Sequence, residues 1–192
     1  MLNLIAIQAV LNEGIQRGLQ RQVEDIQKNT GTSVQIYGVK MLTPKVVAGS
    51  PISMNAGLTA KGNQSVHDVF SFYMAAFVDY HKGEDPKAEQ SLRSMFEGTV
   101  VEQKKMVAEK KLHGQPLGTG NLVMFKTVDT PPISKTQVQG LLSGATRMYL
   151  LTWAAWKDVN GQDGTLSACQ WLQPPSSLNI GKEELVWHSC AE

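Results

Sequence analysis

Few residues in this chain could do chemistry, and they stand far apart. Cys169 and Cys190 are its two cysteines. Neither belongs to a Cys-x-x-Cys pair, which argues against a structural zinc site. Two reduced thiols and one disulfide are both compatible with their placement in the last quarter of the chain. A bridge closing about 20 residues would add about 3 kcal/mol in the chain-entropy description, and it would imply an oxidising compartment. His188 stands two positions before Cys190. In a strand that spacing puts both side chains on one face, where an imidazole could activate a thiolate. The sequence supplies no third group to orient the ring. His67 and Asp68 are adjacent, so a strand would turn them to opposite faces and no dyad would form. His81 and His113 are isolated. Gly118-Thr-Gly120 looks like a phosphate loop, but it leads into a strand pattern and lacks the dipole of a helix N-terminus. Trp153, Trp156, Trp171 and Trp187 crowd the C-terminal region. They could form a carbohydrate or peptide platform; their alternation in adjacent strands suits a sandwich core better.

The chain contains no nucleophile elbow, phosphate-binding P-loop, His-Glu-x-x-His, dinucleotide fingerprint or EF-hand loop. No residue is therefore assigned a catalytic, cofactor-binding or metal-binding role, and no cofactor is expected. Eighteen basic residues against 17 acidic ones leave a net charge of +1, so no global field draws the protein to nucleic acid or anionic lipid. With 192 residues the chain can bury a core without a metal or a bridge to hold it. No run of apolar residues reaches the length of a membrane span.

The elements that must position these residues are mostly strands. Segments 34–41, 66–80, 122–128, 147–157, 165–172 and 185–190 are rich in β-branched and aromatic residues. In 52–60, Ile52, Met54, Ala56, Leu58 and Ala60 alternate with polar or small residues, the pattern of a strand with one wet face. Within 147–157, Tyr149, Leu151 and Trp153 face one way and Met148, Leu150 and Trp156 the other. Asp158 to Gly164 is dense in turn residues, with Asn-Gly and Asp-Gly both present, and predicts an antiparallel hairpin with a bulge, braced by the Asp158 side chain. Asp85-Pro86 opens a helix over 86–111 in which Leu92, Phe96, Val100 and Val107 share a stripe, with His113-Gly114 as its stop. The methionines beside that stripe suit a core more than a binding groove. Ser134 caps a short helix ended by Ser143-Gly144. Residues 1–30 read as an N-terminal helix, with Leu11, Ile15, Leu19, Val23 and Ile26 on one stripe. Such a stripe packs on its own domain or serves as a short membrane-proximal stalk.

A resemblance covers the last third. The run Ile133-Ser-Lys-Thr-Gln-Val-Gln-Gly-Leu-Leu-Ser-Gly144, then Arg147-Met-Tyr-Leu150, Trp153, Trp156-Lys-Asp158, Gly161, Cys169 and Trp187-His-Ser-Cys190, resembles a group of bacterial membrane-anchored proteins without an assigned activity. Those carry N-terminal transmembrane helices and an extracytoplasmic domain that looks like an immunoglobulin-type β-sandwich. Residues 133–190 match in order and spacing. Residues 33–80 match in character only: the group's Asn-x-Gly-x-x-Pro-Ala stretch is missing, and Leu58-Thr-Ala-Lys-Gly62 stands in its place. The helix at 86–111 looks like an insertion. The resemblance implies a Cys169–Cys190 disulfide, because the group's closing Trp-x-x-Cys follows an earlier cysteine strand.

The expectation is a mainly β fold with helical additions: an N-terminal helix over 1–30, then an immunoglobulin-like β-sandwich over 33–192 with one long inserted helix. The expected role is non-catalytic binding or scaffolding on the periplasmic side of a bacterial inner membrane. The partner would be a protein, with no nucleic acid involved, and the domain would be held near the membrane by an anchor missing from its N-terminus. The alternatives are a small hydrolase using His188 or His67, and a cytoplasmic interaction subunit with reduced thiols.

Overall fold

The computed structural model describes residues 32–62, 64–79, 85–118, 123–180 and 185–190. The helix expected over 1–30 lies outside them. Among the described residues, eight strands and two helices follow one another as β1 (Ser33–Met41), β2 (Ser53–Lys61), β3 (Val66–Asp79), α1 (Asp85–Ala108), β4 (Gln115–Leu117), β5 (Val123–Asp129), α2 (Lys135–Ser143), β6 (Thr146–Lys157), β7 (Asp163–Leu172) and β8 (Trp187–Ser189). The strands form two antiparallel sheets, ordered β1-β2-β5 and β4-β3-β6-β7-β8. Among the described residues no helix is long and apolar enough to cross a membrane.

The alternation in β2 sets the first core. Met54, Ala56, Leu58 and Ala60 are buried, and they meet Met148, Leu150, Ala154 and Trp156 of β6, with Ile133 and Leu141 between the sheets. The other face of β6 builds a second core. Tyr149, Leu151 and Trp153 point away from the three-stranded sheet and are covered by Leu92, Phe96 and Val100 of α1. Phe96 stacks on Phe72 of β3 with ring centroids 5.8 Å apart. The described residues thus stack in three layers: the three-stranded sheet, the five-stranded sheet and α1.

The helix opens at Asp85 and runs to Ala108, short of the expected 111. Its end is not made by Gly114. The Lys111 N–H donates to the Met106 carbonyl, the Lys110 N–H donates to the Val107 carbonyl, and Lys110 itself takes φ 55°. This is a Schellman-type stop with a non-glycine residue at the left-handed position, which local sequence does not announce. Gly114 instead lies against the Asp68 backbone, where a Cβ would collide, so β4 can reach β3. The three-residue strand β4 had no counterpart in the sequence reading.

The short helix α2 forms as expected, between β5 of one sheet and β6 of the other. Ser134 Oγ accepts from the Gln137 N–H and Gln137 Oε1 accepts from the Ser134 N–H, a full capping box, and Gly144 at φ 78° closes the other end. The β6–β7 hairpin also forms, with Lys157 paired to Asp163. Its register runs without a shift, so the expected bulge is absent: residues 158–162 absorb the extra length in the loop. Asp158 Oδ1 accepts from the N–H groups of Asn160 and Gln162, both at 2.8 Å, which makes it the brace of the turn.

Two measurements test this packing. Gly98 of α1 has open space around a built Cβ, whereas a Cβ on Gly140 of α2 would strike the Thr146 side chain. Gly98→Ala should therefore stabilise by about 0.5–1 kcal/mol through helix propensity. Gly140→Ala should destabilise by about 1–3 kcal/mol, because overpacking outweighs the same propensity gain. Urea unfolding of the two variants must give opposite signs. The Thr152 hydroxyl, 1% exposed in the middle of β6, has no hydrogen-bond partner among the described residues. Thr152→Val should raise stability by about 1–2 kcal/mol in the same assay, and a loss would show that the hydroxyl is satisfied in solution.

Candidate functional site

Residues with chemical potential converge on the outer face of the five-stranded sheet, where α1 covers β7 and β8 only in part. Register explains the convergence. Tyr149 of β6 pairs with Trp171 of β7, and Trp171 pairs with His188 of β8, so the three side chains form one row across the sheet. Leu151 pairs with Cys169 in the next row, and the Cys190 N–H donates to the Cys169 carbonyl at 3.0 Å. The two cysteines are joined as a disulfide, with their Cα atoms 5.4 Å apart. That is the ordinary spacing of directly opposed residues. Cys190 is therefore no thiolate, and the His188–Cys190 pair cannot serve as a nucleophile and base.

A cavity of about 310 Å³ opens over the disulfide. Arg93, Phe96 and Glu97 of α1 form one wall; Ser167 and Ser189 lie on the sheet side. Beside it, the Tyr149 hydroxyl donates to Glu89 Oε1 at 2.7 Å. Burial pushes the phenol up to about 12, with the Glu89 contact acting in the same direction and nearby Arg147 opposing it. The Arg147 guanidinium sits 4.3 Å from the Trp171 ring centre. Trp171 stacks on His188 at 4.6 Å, and His188 Nε2 lies 3.0 Å from Gln173 Oε1. The indole thus contacts both a cation and an imidazole, a stack that gains cation–π energy. The arrangement presents a cleft lined by Arg93, Glu97, Ser167 and Ser189, with the Arg147–Trp171–His188 stack beside it.

The structure separates the other candidates. His67 and Asp68 are exposed at an irregularity of β3, with Asp68 at φ 50°. His113 lies near Asp68 in a cavity beneath the C-terminal end of α1. His81, Thr119 and Gly120 lie outside the described residues. The four tryptophans divide: Trp156 and Trp187 belong to the inter-sheet core, Trp153 and Trp171 to the helix-side face. Of the α1 methionines, Met95 is 56% exposed, so it is not core as expected. Among the described residues no three His, Cys, Asp or Glu side chains come together. The Arg147–Trp171–His188 column and the Tyr149–Glu89 contact were not found by sequence reasoning. The spacing of Arg147 and Tyr149 placed them on one face; only register adds Trp171, His188 and Glu89.

The raised phenol makes a prediction with a definite sign. A tyrosine whose folded pKa exceeds its unfolded one stabilises the fold fully below the unfolded value and loses that contribution as pH rises through the folded value. Tyr73, pushed up to about 12 by burial, acts likewise. Stability should fall between pH 10 and 12, and Tyr149→Phe should make that fall shallower. An unchanged slope in chemical unfolding across this range would refute the role of Tyr149. Comparison with protein-family models, with curated proteins and with solved structures finds no match for the chain.

Proposed function

We propose that this protein is a non-catalytic, extracytoplasmic binding or scaffolding domain of a membrane-anchored bacterial protein, built as an immunoglobulin-type sandwich. The observation that carries this reading is the Cys169–Cys190 disulfide, because such bonds persist where the compartment is oxidising. The strand order supports the fold assignment. β1-β2-β5 facing β3-β6-β7 follows the A-B-E and C-F-G order of immunoglobulin sandwiches, with β4 in the place of an added strand beside C. Three features depart from that plan: α1 fills the connection after β3, β8 extends the second sheet, and the disulfide joins neighbouring strands rather than the two sheets.

A protein-binding role draws on the surface. Tyr37 and Phe125 are 62% and 53% exposed and meet edge to face at 6.1 Å on the outer side of the three-stranded sheet. Solvent-exposed aromatic pairs of this kind are the residue types that anchor protein interfaces.

Location and binding are tested together in the source cell. Without reductant, the mass after alkylation should show no modified thiol, and a membrane-impermeant protease should reach the domain in spheroplasts. Two alkylated thiols, or protection from the protease, would overturn the location. Cross-linking at Tyr37 should yield a defined protein adduct that Phe125→Ser diminishes; no adduct from a correctly located protein would overturn the binding role.

A further inference from the structure

The sheet edges are unequally protected. An edge strand pairs readily with another chain unless bulges, charges or shortness prevent it. The free edge of β1 is interrupted by a register shift between Ile36 and Gly38 and carries Lys40. The β5 edge carries Lys126, and β4 and β8 are only three residues long. Among the described residues, the edge of β3 from Phe70 to Asp79 is long and carries no bulge, and the charges beside it are Lys126 and Asp79. β4 pairs with β3 only at Val66 and Val69. From Phe70 to Asp79 its register with β6 is unbroken, and no described strand lies on its other side. The Ser71 carbonyl faces that side, where it accepts from Lys126 Nζ at 3.2 Å. Backbone groups alternate along a strand, so those of Tyr73, Ala75, Phe77 and Asp79 face the same way.

We propose that residues 71–79 pair antiparallel with the same edge of a second copy of this chain, joining two five-stranded sheets across a two-fold axis. The edge is complementary to itself, as an isologous interface must be. With Ala75 on the axis, Ser71 meets Asp79, Phe72 meets Val78, Tyr73 meets Phe77 and Met74 meets Ala76. Polar residues pair with polar ones, apolar with apolar, and a small side chain sits at the centre. The parity also fits. The outward backbone groups belong to odd-numbered residues, and this axis pairs odd with odd, so each pair exchanges two hydrogen bonds.

Charge selects the same register. Lys126 stands at the Ser71 carbonyl, and Ser71 lies opposite Asp79 of the partner subunit. Each Lys126 ammonium therefore meets a carboxylate, twice by symmetry. Asp79 Oδ1 already accepts from Thr146 Oγ1 at 2.9 Å, which fixes the carboxylate and leaves Oδ2 for the lysine.

Sedimentation equilibrium of the full chain with its disulfide intact should give twice the 21.0 kDa chain mass at micromolar concentration and dissociation on dilution. A mass of 21.0 kDa up to near-millimolar concentration would overturn the proposal. Amide exchange of the unmodified protein locates the interface. The N–H groups of Tyr73, Ala75, Phe77 and Asp79 should be protected in concentrated samples and exchange in dilute ones; a dimer in which they exchange freely at every concentration refutes it. Asp79→Lys and Lys126→Asp should each raise the dissociation constant by about tenfold, and together should return it to within about threefold of the original. Failure of the double variant to recover, with both single variants folded and weakened, would show that Lys126 and Asp79 do not pair across the interface and overturn this register.

Discussion

Strand β6 carries apolar side chains on both faces, and its burial is nearly continuous from Thr146 to Trp156. A sheet strand of that kind is unstable unless both of its faces are covered. The three-stranded sheet covers Met148, Leu150 and Trp156; α1 covers Tyr149, Leu151 and Trp153. The long helix inserted between β3 and β4 is thus half of the shelter of the central strand. At about 2 kcal/mol for each fully buried large side chain, the residues on its face outweigh any surface ion pair in the molecule. The exposed bridges of Lys157 with Asp163 and of Lys111 with Glu109 contribute far less.

One helix is narrower than the sheet that it covers. With adjacent strands about 4.8 Å apart and a helix about 10 Å across, α1 shelters two or three strands and leaves the outer face of β7 and β8 in partial contact with water. That geometric shortfall creates the cleft over the disulfide and exposes the flank of the Trp171 stack. It also explains the need for a staple. β8 has three residues and three pairings to β7, too few to hold an edge strand by backbone hydrogen bonds alone when each contributes about 1 kcal/mol. A covalent link at Cys190 secures it.

Much of this architecture was legible in local sequence. The alternation in β2, the two-faced apolar pattern of β6, the stripe on α1 and the Ser134 cap all depend on neighbours within one turn or one pleat. Periods of 2 and 3.6 residues, caps and turn residues report such short-range geometry directly. Asp158 was readable as a turn brace for the same reason: its partners, Asn160 and Gln162, lie within four residues of it.

Other features required the folded chain. The sequence placed the cysteines in the last strands, but a bridge depends on β7 and β8 being neighbours with both sulfurs on one face, and register is a long-range property. The stop of α1 at Lys110 arises because β4 must turn back against Asp68, which makes a left-handed lysine tolerable where glycine would be expected. Glu89 and Tyr149 are 60 positions apart, and no local pattern announces their contact. Local periodicity therefore determined which residues turn inward on each element. Only tertiary structure decided which inward faces meet, because that choice rests on sheet order and on the packing of α1 against the second face.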